Sequence, residues 1–533
     1  MSELIERIEK LNEIGIALSA ETDTKKLLER ILLGATSLTH ADGGTLYLKD
    51  GEHLYFEIIH NESLRIHLGG SDSEEIKFPP VELYNSGIGN HSMVVTHAVL
   101  AEKTINIPDV YDETEFDFTG AKKFDAANNY RTQSILTIPL KDHENEIIGV
   151  LQLINATDPK TEAVTAFSTI DQQLSESLAS QAAVALAQKK LIAELHNLFE
   201  AFIKMIADAI DDKSPYTGGH CRRIPILTMM LAEAVNNETS GPMQSFKIND
   251  KDRYELETAA WLHDCGKVIT PEHVMDKSTK LEAVFDRIGL IETRFEVVLR
   301  DAKINYLSDC LDAQKEGKPC FEIKKNYEAT KARLENDLEF LSRANIGGEF
   351  MTDADIQRVN SIANMEWMDK DEVIHPLLSD DERMNLSIQK GTLNDEERVI
   401  INDHIVATIK MLEALPFPKH LANVPEYAGG HHERMDGKGY PNGLTKDQMS
   451  VQARIMAVAD IFEALTARDR PYKQGKKLTE CLKIMGFMSL EQHIDADLFK
   501  IFIEQEIYLK YAESYLDPQQ IDEVVVANIP GLS

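Results

Sequence analysis

Histidines accompanied by carboxylates are concentrated in the second half of the chain. In chain order they are His220, the pair His263 and Asp264, His404, the pair His431 and His432, and Asp460. Imidazole and carboxylate together suit divalent metals of borderline softness, among them iron, manganese, zinc and nickel. The five cysteines include no CxxC pair, which argues against a structural zinc site. The residue types therefore favour a catalytic metal site.

The two adjacent pairs bear on the number of metals. Neighbouring side chains on a helix point about 100° apart, so His263 and Asp264 would not normally serve one face. An adjacent pair can instead give one ligand to each of two metals, or bridge them. His431 and His432 follow the glycine pair 429–430, where we expect the backbone to be free to aim both rings into one cavity. Two metals about 3.5–4 Å apart would activate water and clamp the attacking and leaving oxygens of a phosphoester.

Each motif also has an ordinary structural explanation. A single helical histidine such as His404 is more often a packed residue than a ligand, and His263 with Asp264 would suit a surface ion pair. The string HHERMDGKGYP (431–441) is harder to explain as a turn alone. A turn needs Asp-Gly or Gly-Tyr-Pro, but not two histidines and Glu-Arg before them. Taken together, the motifs predict a metal site.

Helices must position most of these residues. Beyond residue 205 the pattern is helical and is broken by Pro and Gly turns. The stretch from about 280 to 390 is charged, as in IKKNYEATKARLENDLEF, and holds few candidate chemical groups. Its helical spacing predicts an α-hairpin inserted into an otherwise all-α domain.

The first part of the chain alternates helical and strand patterns. Apolar residues have helical spacing over 3–19 and 24–38. Two pairs of strand patterns follow, each pair separated by a polar turn: 45–48 with 53–59, and 134–140 with 147–156. We therefore predict an antiparallel sheet flanked by helices, which makes this part an α+β domain.

A continuous helical pattern over about 164–210 joins the two parts. Apolar residues repeat along it every seven positions, with others between them: Val184, Leu191, Leu198 and Met205, with Leu195 and Phe202. Such a seam suits a short coiled coil and predicts a homodimer. One long helix that packs on its own domain is the alternative. The predicted boundaries are 1–165 for the first domain, 166–205 for the linking helix and 206–533 for the second domain.

Composition limits the partners. The 533 residues include 56 Lys and Arg against 89 Asp and Glu, a formal net charge of −33. This acid excess argues against a protein that coats a nucleic acid polymer, although one local pocket can still hold a small anion. The odd number of cysteines favours a reducing compartment. The N-terminus lacks the apolar core of a signal peptide, and no apolar stretch approaches a membrane span, so we predict a cytoplasmic protein.

The order and local setting of the second-half motifs resemble the HD-GYP family, a subgroup of the HD phosphohydrolases. The resemblance covers about 200–310 and 385–490, and the GYP string within 431–441 carries most of its specificity. DRPYK at 469–473 also matches. The resemblance implies a metal-dependent phosphodiesterase of cyclic dinucleotides, chiefly cyclic di-GMP. The residues do not separate cyclic di-GMP from the mixed guanine–adenine compound.

The resemblance also implies roles for individual residues. Metal ligation falls to His220, His263, Asp264, His404, His431, His432 and Asp460, with Asp264 as the bridging ligand. Lys267 would hold a phosphate and stabilise charge in the transition state, and Arg470 and Lys473 would reach the substrate. The motif loop comprises Glu433, Arg434, Asp436, Gly437, Gly439, Tyr440 and Pro441. Two divalent metals, iron or manganese, are implied as cofactors.

Three departures from the family pattern matter. The separation between His263 and His404 is longer than usual, because of the predicted insertion. Tyr216 stands four residues before His220, where some members have a glutamate that supports a third metal, so a binuclear site is favoured. Glu463 replaces a frequent aspartate on the helix of Asp460. Either Glu463 or Asp212 remains an alternative ligand for a third metal.

The N-terminal part resembles a GAF domain, a sensor of small ligands. The opening helix, the strand GGTLYL and the closing hairpin carry this resemblance. It implies a regulatory pocket between the sheet and residues 105–130, for an unidentified small ligand. Lys123, Phe124 and Asp125 match part of an Asn-Lys-Phe-Asp string of cyclic-nucleotide-binding members, without its asparagine. Ordinary loop packing is the favoured reading of these three residues.

Two other functions stay open at this level. One is an HD phosphohydrolase that acts on other nucleotides or on (p)ppGpp, against which the GYP string counts. The other is a catalytically silent module that senses a ligand through the GAF part and signals through protein contacts. A silent member should have lost ligands, whereas the set in this chain is intact.

Overall fold

Secondary structure is described for residues 2–71, 74–213, 219–467 and 475–532 in a computed structural model of the chain. The chain divides into two units, Met1–Phe199 and Glu200–Ser533. The division falls inside a helix of 45 residues, Thr169–Lys213. Among the described residues, no helix has both the length and the apolar character that crossing a bilayer requires.

The first unit contains a long antiparallel sheet with helices on both sides. Its elements are α1 (Ser2–Ala20), α2 (Thr24–Thr39), β1 (Ala41–Asp50), β2 (His53–Asn61), β3 (Ile66–Gly69), β4 (Val81–Glu82), β5 (Tyr84–Asn85), β6 (Ile88–Gly89), α3 (Val94–Leu100), β7 (Ile105–Ile107), α4 (Thr119–Asn128), β8 (Ile135–Lys141), β9 (Ile147–Thr157), β10 (Val164–Thr165) and the start of α5 (Thr169–Lys213). The strand order is β3-β2-β1-β9-β8-β7, with β4 paired to β2 and β10 to β9.

Alternation along the strands builds a core on each face of this sheet. In β8, Leu136, Ile138 and Leu140 join the apolar residues of α1, α2 and α5 in one buried cluster. Ile135 belongs instead to a cluster on the other face, with Val94 of α3. Successive residues of a strand point to opposite faces, which accounts for this division. The predicted α+β domain with a flanked antiparallel sheet is confirmed.

The second unit is predominantly helical. Its elements are α6 (His220–Asn236), α7 (Asp250–Leu262), α8 (Glu272–Met275), α9 (Ile288–Lys315), α10 (Phe321–Ile346), α11 (Asp353–Ala363), β11 (Glu366–Met368), β12 (Ile374–Pro376), α12 (Asp380–Leu386), α13 (Asp395–Glu413), α14 (Val424–Gly429), α15 (Val451–Thr466), α16 (Leu478–Leu490), α17 (Ala496–Glu504) and α18 (Ile507–Tyr515). A short 3-10 segment, Cys265–Ile269, follows α7. The predicted helical domain is confirmed.

The predicted insertion forms a helical hairpin with its own core. Helices α9 and α10 pack together, and residues from Leu281 to Leu386 make a separate apolar cluster. The sequence did not predict β11 and β12, which pair as a small antiparallel sheet. The turn between them is held by Asp369, whose carboxylate accepts from the backbone N–H of Asp371 and Val373. Side-chain contacts of this local kind leave no apolar periodicity in the sequence.

A buried lysine attaches the insertion to the rest of the unit. Lys277 precedes the insertion, and its ammonium donates to both carboxylate oxygens of Glu397 at 2.8 Å. Glu397 also completes the cap of α13, where Asn394 accepts from the Glu397 N–H. A second contact joins Lys277 to Asn385 on α12. The first turn of α13 is therefore fixed to the beginning and the end of the insertion.

Candidate metal centre

His263 and Asp264 lie where one helix ends and a tighter turn begins. Helix α7 ends at Leu262, and the 3-10 segment starts at Cys265. This change of backbone geometry lets both side chains face inward, although they are adjacent. The His263 Nε2 atom lies 3.1 Å from the Asp264 Oδ2 atom. Both residues are buried, with exposed fractions of 0% and 2%, so the pair is not a surface ion pair.

Two more side chains complete what we call the first ligand group, which consists of His220, His263, Asp264 Oδ2 and Asp460. His220 opens α6, and its Nε2 atom lies 3.4 Å from Asp264 Oδ2 and 3.4 Å from Asp460 Oδ1. The Nε2 atoms of His220 and His263 are 3.3 Å apart. Four potential ligand atoms from three helix ends and α15 thus converge on one point.

The second ligand group consists of His404, His431, His432 and Asp264 Oδ1. Ligand atoms of the three histidines lie within 4.8 Å of one another. His404 is on α13, and its Nε2 atom is 3.2 Å from Asp264 Oδ1. Asp264 therefore directs one oxygen at each ligand group, which is the geometry of a carboxylate shared by two cations.

The glycines before His431 act through packing and not through torsional freedom, contrary to our expectation. Gly429 lies in α14 and Gly430 follows it with an ordinary φ of −91°. A Cβ on Gly429 would lie 2.6 Å from Ile409 of α13, and one on Gly430 would lie 2.9 Å from the Ala453 Cβ of α15. Both glycines let α14 approach its neighbours closely, and this approach brings the two histidines to the site.

Backbone carbonyls fix the tautomer of three rings. The Nδ1 atoms of His263, His404 and His431 each contact the carbonyl oxygen three residues earlier. A ring that donates through Nδ1 presents the lone pair of Nε2 to the centre. The buried atoms His404 Nε2, His431 Nε2 and Asp264 Oδ1 have no hydrogen-bond partner among the described residues. Orphaned acceptors of this kind fit a cation, and the donor set fits divalent metals.

Burial and charge set the protonation of the centre. Burial lowers the pKa of His432 to about 4, so its ring is neutral near pH 7. Burial likewise holds the pKa of His431 well below the ordinary value, with a contribution from His432. Burial would raise the pKa of Asp264, but Lys267 and His263 outweigh it and hold that pKa well below the usual range. Neutral imidazoles and an ionised carboxylate are the forms that bind metals.

Lys267 lies one turn after Asp264 in the 3-10 segment. Its ammonium donates to Asp264 Oδ2 at 2.6 Å, and its side chain is 21% exposed. Burial acts against the charged form, but Asp264 outweighs it and raises the pKa of Lys267 above the usual value. A permanent positive charge therefore lies at the edge of the centre, open on one side.

The motif loop is held by a buried glutamate. Glu433 accepts from the backbone N–H of Asn442 at 2.7 Å and of Leu444 at 2.9 Å. Gly439 passes against the backbone of this glutamate, since a Cβ there would lie 2.5 Å from the Glu433 Cα. The Tyr440 ring stacks on His432 with centroids 4.9 Å apart. The loop therefore covers the second ligand group.

The remaining loop residues support its turn. Arg434 pairs with Asp436 at 3.0 Å, and the Asp436 carboxylate accepts from the Lys438 N–H. Gly437 has a φ of +75°, which favours glycine, and Pro441 follows a cis peptide bond. Arg470 and Lys473 lie outside the described residues, and so does Tyr216.

Two carboxylates lie behind the candidate ligands, a role that the sequence did not predict. The Asp211 carboxylate accepts from the N–H of Gly219 at 2.9 Å and of Cys221 at 3.3 Å, on either side of His220. Glu463 contacts His220 Nδ1 and Arg223 with its two oxygens. A carboxylate one helical turn after Asp460 is the feature of the sequence that points to this role, beside the alternative of a ligand for a third metal.

Lys123, Phe124 and Asp125 lie in the middle of α4 in the first unit. Asp125 is buried and accepts from the N–H and hydroxyl of Thr132, both at 2.9 Å, and from the Tyr111 hydroxyl at 3.0 Å. Phe124 is exposed. Through these contacts the aspartate holds the loop before β8.

Two family models match the chain. One, described as a GAF domain, matches residues 23–186, and the other, described as an HD domain, matches residues 380–498. The HD match includes the three histidines of the second ligand group and Asp460. His220, His263 and Asp264 lie before it, and the fold brings them to the same centre.

Curated relatives match over short stretches. A 3'3'-cGAMP-specific phosphodiesterase of Vibrio cholerae is 36% identical over 127 residues, 23% of this chain and 28% of that protein. A cyclic di-GMP phosphodiesterase of Pseudomonas aeruginosa is 37% identical over 114 residues, 21% of this chain and 26% of that protein. A cGMP-specific 3',5'-cyclic phosphodiesterase of Drosophila melanogaster is 32% identical over 145 residues, 26% of this chain and 12% of that protein. The chain therefore spans a minor part of each relative's length.

Proposed function

We propose that this chain, which contains a GAF domain followed by an HD domain, is a metal-dependent phosphodiesterase of 3',3'-cyclic dinucleotides, with cyclic di-GMP as the expected substrate. The observation that carries the proposal is the position of Asp264. Its two oxygens lie 3.1 Å and 3.2 Å from histidines of different ligand groups. The expected product is a linear dinucleotide, and mononucleotides after a second cleavage.

The two ligand groups would hold one divalent metal each, with Asp264 shared. Their imidazoles and carboxylates suit iron or manganese. When bound, two such metals supply an activated water and neutralise the oxygens of the phosphoester. The residues of the chain hold these positions through the helix ends and the backbone contacts of the histidine rings.

Lys267 is proposed to hold a substrate phosphate. Its ammonium is fixed beside Asp264, and part of the side chain is exposed. A phosphoester gains negative charge on its oxygens as it reacts, so a fixed positive charge here would stabilise the transition state more than the ground state. Arg470 and Lys473 are proposed as further substrate contacts from the sequence match alone.

The relatives support this substrate class. Two of them are named for cyclic di-GMP or 3'3'-cGAMP, and both are phosphodiesterases. These compounds share two phosphodiester bonds and at least one guanine, and they differ in one base. The site residues described above address the phosphates, so they favour the class and do not select between the two compounds.

The full chain purified without oxygen provides the test. We expect about two iron or manganese ions per chain and conversion of cyclic di-GMP or 3'3'-cGAMP to a linear product. A chelator should remove turnover, and added manganese or iron(II) should restore it. Metal without turnover of either compound would favour the phosphohydrolase that acts on other nucleotides or on (p)ppGpp. The same assay measures that activity when those compounds are supplied as substrates. Absence of both metal and turnover would favour the silent sensing module.

The GAF domain is proposed to regulate this activity through α5. The last residue of that helix, Lys213, donates to the carbonyl oxygens of Lys267 at 3.1 Å and Thr270 at 2.6 Å. These carbonyls belong to the segment that carries the proposed phosphate contact. A small ligand of the GAF domain that favours one position of α5 would therefore act on Lys267 through this contact.

A second copy of this chain is proposed to pack on α5. The heptad residues Leu191, Leu198 and Met205 are 53–56% exposed, and so are Leu195 and Phe202 at 56% and 52%. A seven-residue apolar repeat is complementary to itself, because each side chain fits between those of an identical parallel helix. The α5 helix of a second copy is therefore the partner that this face fits, and the resulting assembly is a homodimer.

Replacing Leu198 with glutamate should dissociate this dimer. The change removes two leucines from the seam, each worth about 2 kcal/mol on burial, and places two like charges together. Sedimentation analysis of the full chain measures the dissociation constant, which should rise by on the order of 10³-fold. Leu307 of α9 is also about half exposed, and Leu307→Glu is the matched control, expected to stay dimeric. A monomeric wild-type chain would contradict the seam.

A further inference from the structure

His220 differs from the other candidate ligands in what its second ring nitrogen contacts. The Nδ1 atoms of His263 and His431 contact backbone carbonyl oxygens at 2.8 Å and 2.6 Å. The Nδ1 atom of His220 contacts a carboxylate, Glu463 Oε2, at 2.5 Å. Among the described residues, this is the one site histidine with an ionised partner behind the ring.

Glu463 is itself fully engaged. Its side chain is 1% exposed, and its other oxygen accepts from Arg223 Nε at 2.7 Å. A second guanidinium nitrogen of Arg223 lies 2.6 Å from the same oxygen. Each oxygen of Glu463 thus has a partner.

The arrangement follows from the spacing on two helices. On α15, Asp460 and Glu463 are three residues apart and therefore lie on the same helical face. Asp460 is a candidate metal ligand, and Glu463 contacts the ring of another candidate ligand, His220. On α6, His220 and Arg223 have the same spacing. The two helices therefore meet through a series of contacts in which His220 binds Glu463 and Glu463 binds Arg223.

A carboxylate behind a metal-binding histidine has two physical effects. It fixes the ring orientation and the tautomer, and it makes the other nitrogen a stronger donor. A buried carboxylate without a counter-charge would be costly, and the Arg223 guanidinium supplies that charge. The carbonyl contacts of the other rings fix orientation but provide no full negative charge.

We propose that Glu463, held by Arg223, is a positioning residue that raises the metal affinity of the first ligand group through His220 and is not a metal ligand. This inference rests on the proposed metal site and replaces the third-metal role that the sequence left open for Glu463. It also makes the two ligand groups unequal, because the second group contains no such support among the described residues.

Titration of the metal-free full chain with manganese(II), without substrate, tests the proposal. The wild-type chain should bind two ions. In Glu463→Gln, which keeps the shape but loses the charge, one site should weaken by about 10- to 100-fold while the other changes little. Arg223→Lys keeps a positive charge but loses the two-pronged contact, so it should weaken the same site less. Glu463→Asp, which keeps the charge, should recover part of the lost affinity.

Controls and contrary outcomes separate this inference from the proposed function. Arg222→Lys is the matched control, because Arg222 is a neighbouring, exposed residue that pairs with Asp208; both sites should be unchanged. Equal affinity of wild type and Glu463→Gln at both sites would overturn the positioning role. A third ion lost on substitution would show that Glu463 is a ligand, and equal weakening of both sites would indicate a general structural role. A wild-type chain that binds no manganese would overturn the metal site itself.

Discussion

Asp264→Asn is expected to abolish turnover and to remove bound metal from both ligand groups. Asparagine has nearly the same size, but it is neutral and offers one oxygen, so it cannot serve both groups. The carboxylate also balances the partly exposed ammonium of Lys267 at 2.6 Å. We expect activity to fall by on the order of 10³-fold or more, since a fixed charge at the reacting centre is lost. Steady-state turnover and metal content per chain measure the two effects.

Asp208→Asn provides the matched control for this change. Asp208 is a partly exposed carboxylate on α5 that pairs with Arg222, and its pairing should contribute little. Its activity should stay within about two-fold of wild type. Circular dichroism should show the same helix content for both variants. Full activity of Asp264→Asn with normal metal content would contradict the site assignment.

Gly266→Ala is expected to disable the second ligand group without touching a ligand. A Cβ at this position would lie 1.9 Å from the carbonyl oxygen of His404 and 2.5 Å from the N atom of Thr408. Both atoms belong to the backbone of α13, so the helix must move by more than 1 Å. That movement would separate His404 Nε2 from Asp264 Oδ1, now 3.2 Å apart.

The measurable result is a loss of metal from one group only. A displacement of about 1 Å can cost on the order of 10²-fold in rate, and overpacking should reduce stability by about 1–3 kcal/mol. Metal content should fall from two ions per chain towards one. Gly289→Ala in α9 is the matched control, because its Cβ would meet no atom within 4 Å. Two retained metals and unchanged turnover would contradict this prediction, because they would show that α13 can move away from residue 266 without disturbing the second ligand group.

The sequence allowed the centre to be predicted because its residue types are rare in combination. His220, His263 and His404 lie far apart along the chain, and their grouping was implied by the resemblance of the motif order to a known family and not by local spacing. The helical character of the second half and the antiparallel sheet of the first were also predictable, because both depend on apolar periodicity. The insertion was visible as a change in composition.

Other features depend on contacts that no local pattern encodes. Gly429 and Gly430 were expected to supply torsional freedom, but they are needed for close packing of α14 on α13 and α15. The Glu463 contact with His220 joins residues 243 positions apart. The glycine and Glu463 contacts are decided by tertiary neighbours, which a single sequence does not list. The small sheet of β11 and β12 depends on local contacts of one aspartate in its turn, and these leave no apolar periodicity.

The separate apolar core of the insertion bears on how the chain unfolds. Among the residues that the structure describes, its cluster draws only on those between Leu281 and Leu386, so the hairpin can lose its structure without exposing the cores elsewhere. Opening of such a region is a partial event with its own free energy, and the chain as a whole is not a two-state system. A melting curve would therefore mix several transitions. Lys277 and Glu397 form the buried contact between the start of the insertion and α13, the helix that carries His404. Unfolding of the hairpin would therefore affect α13 first at this contact.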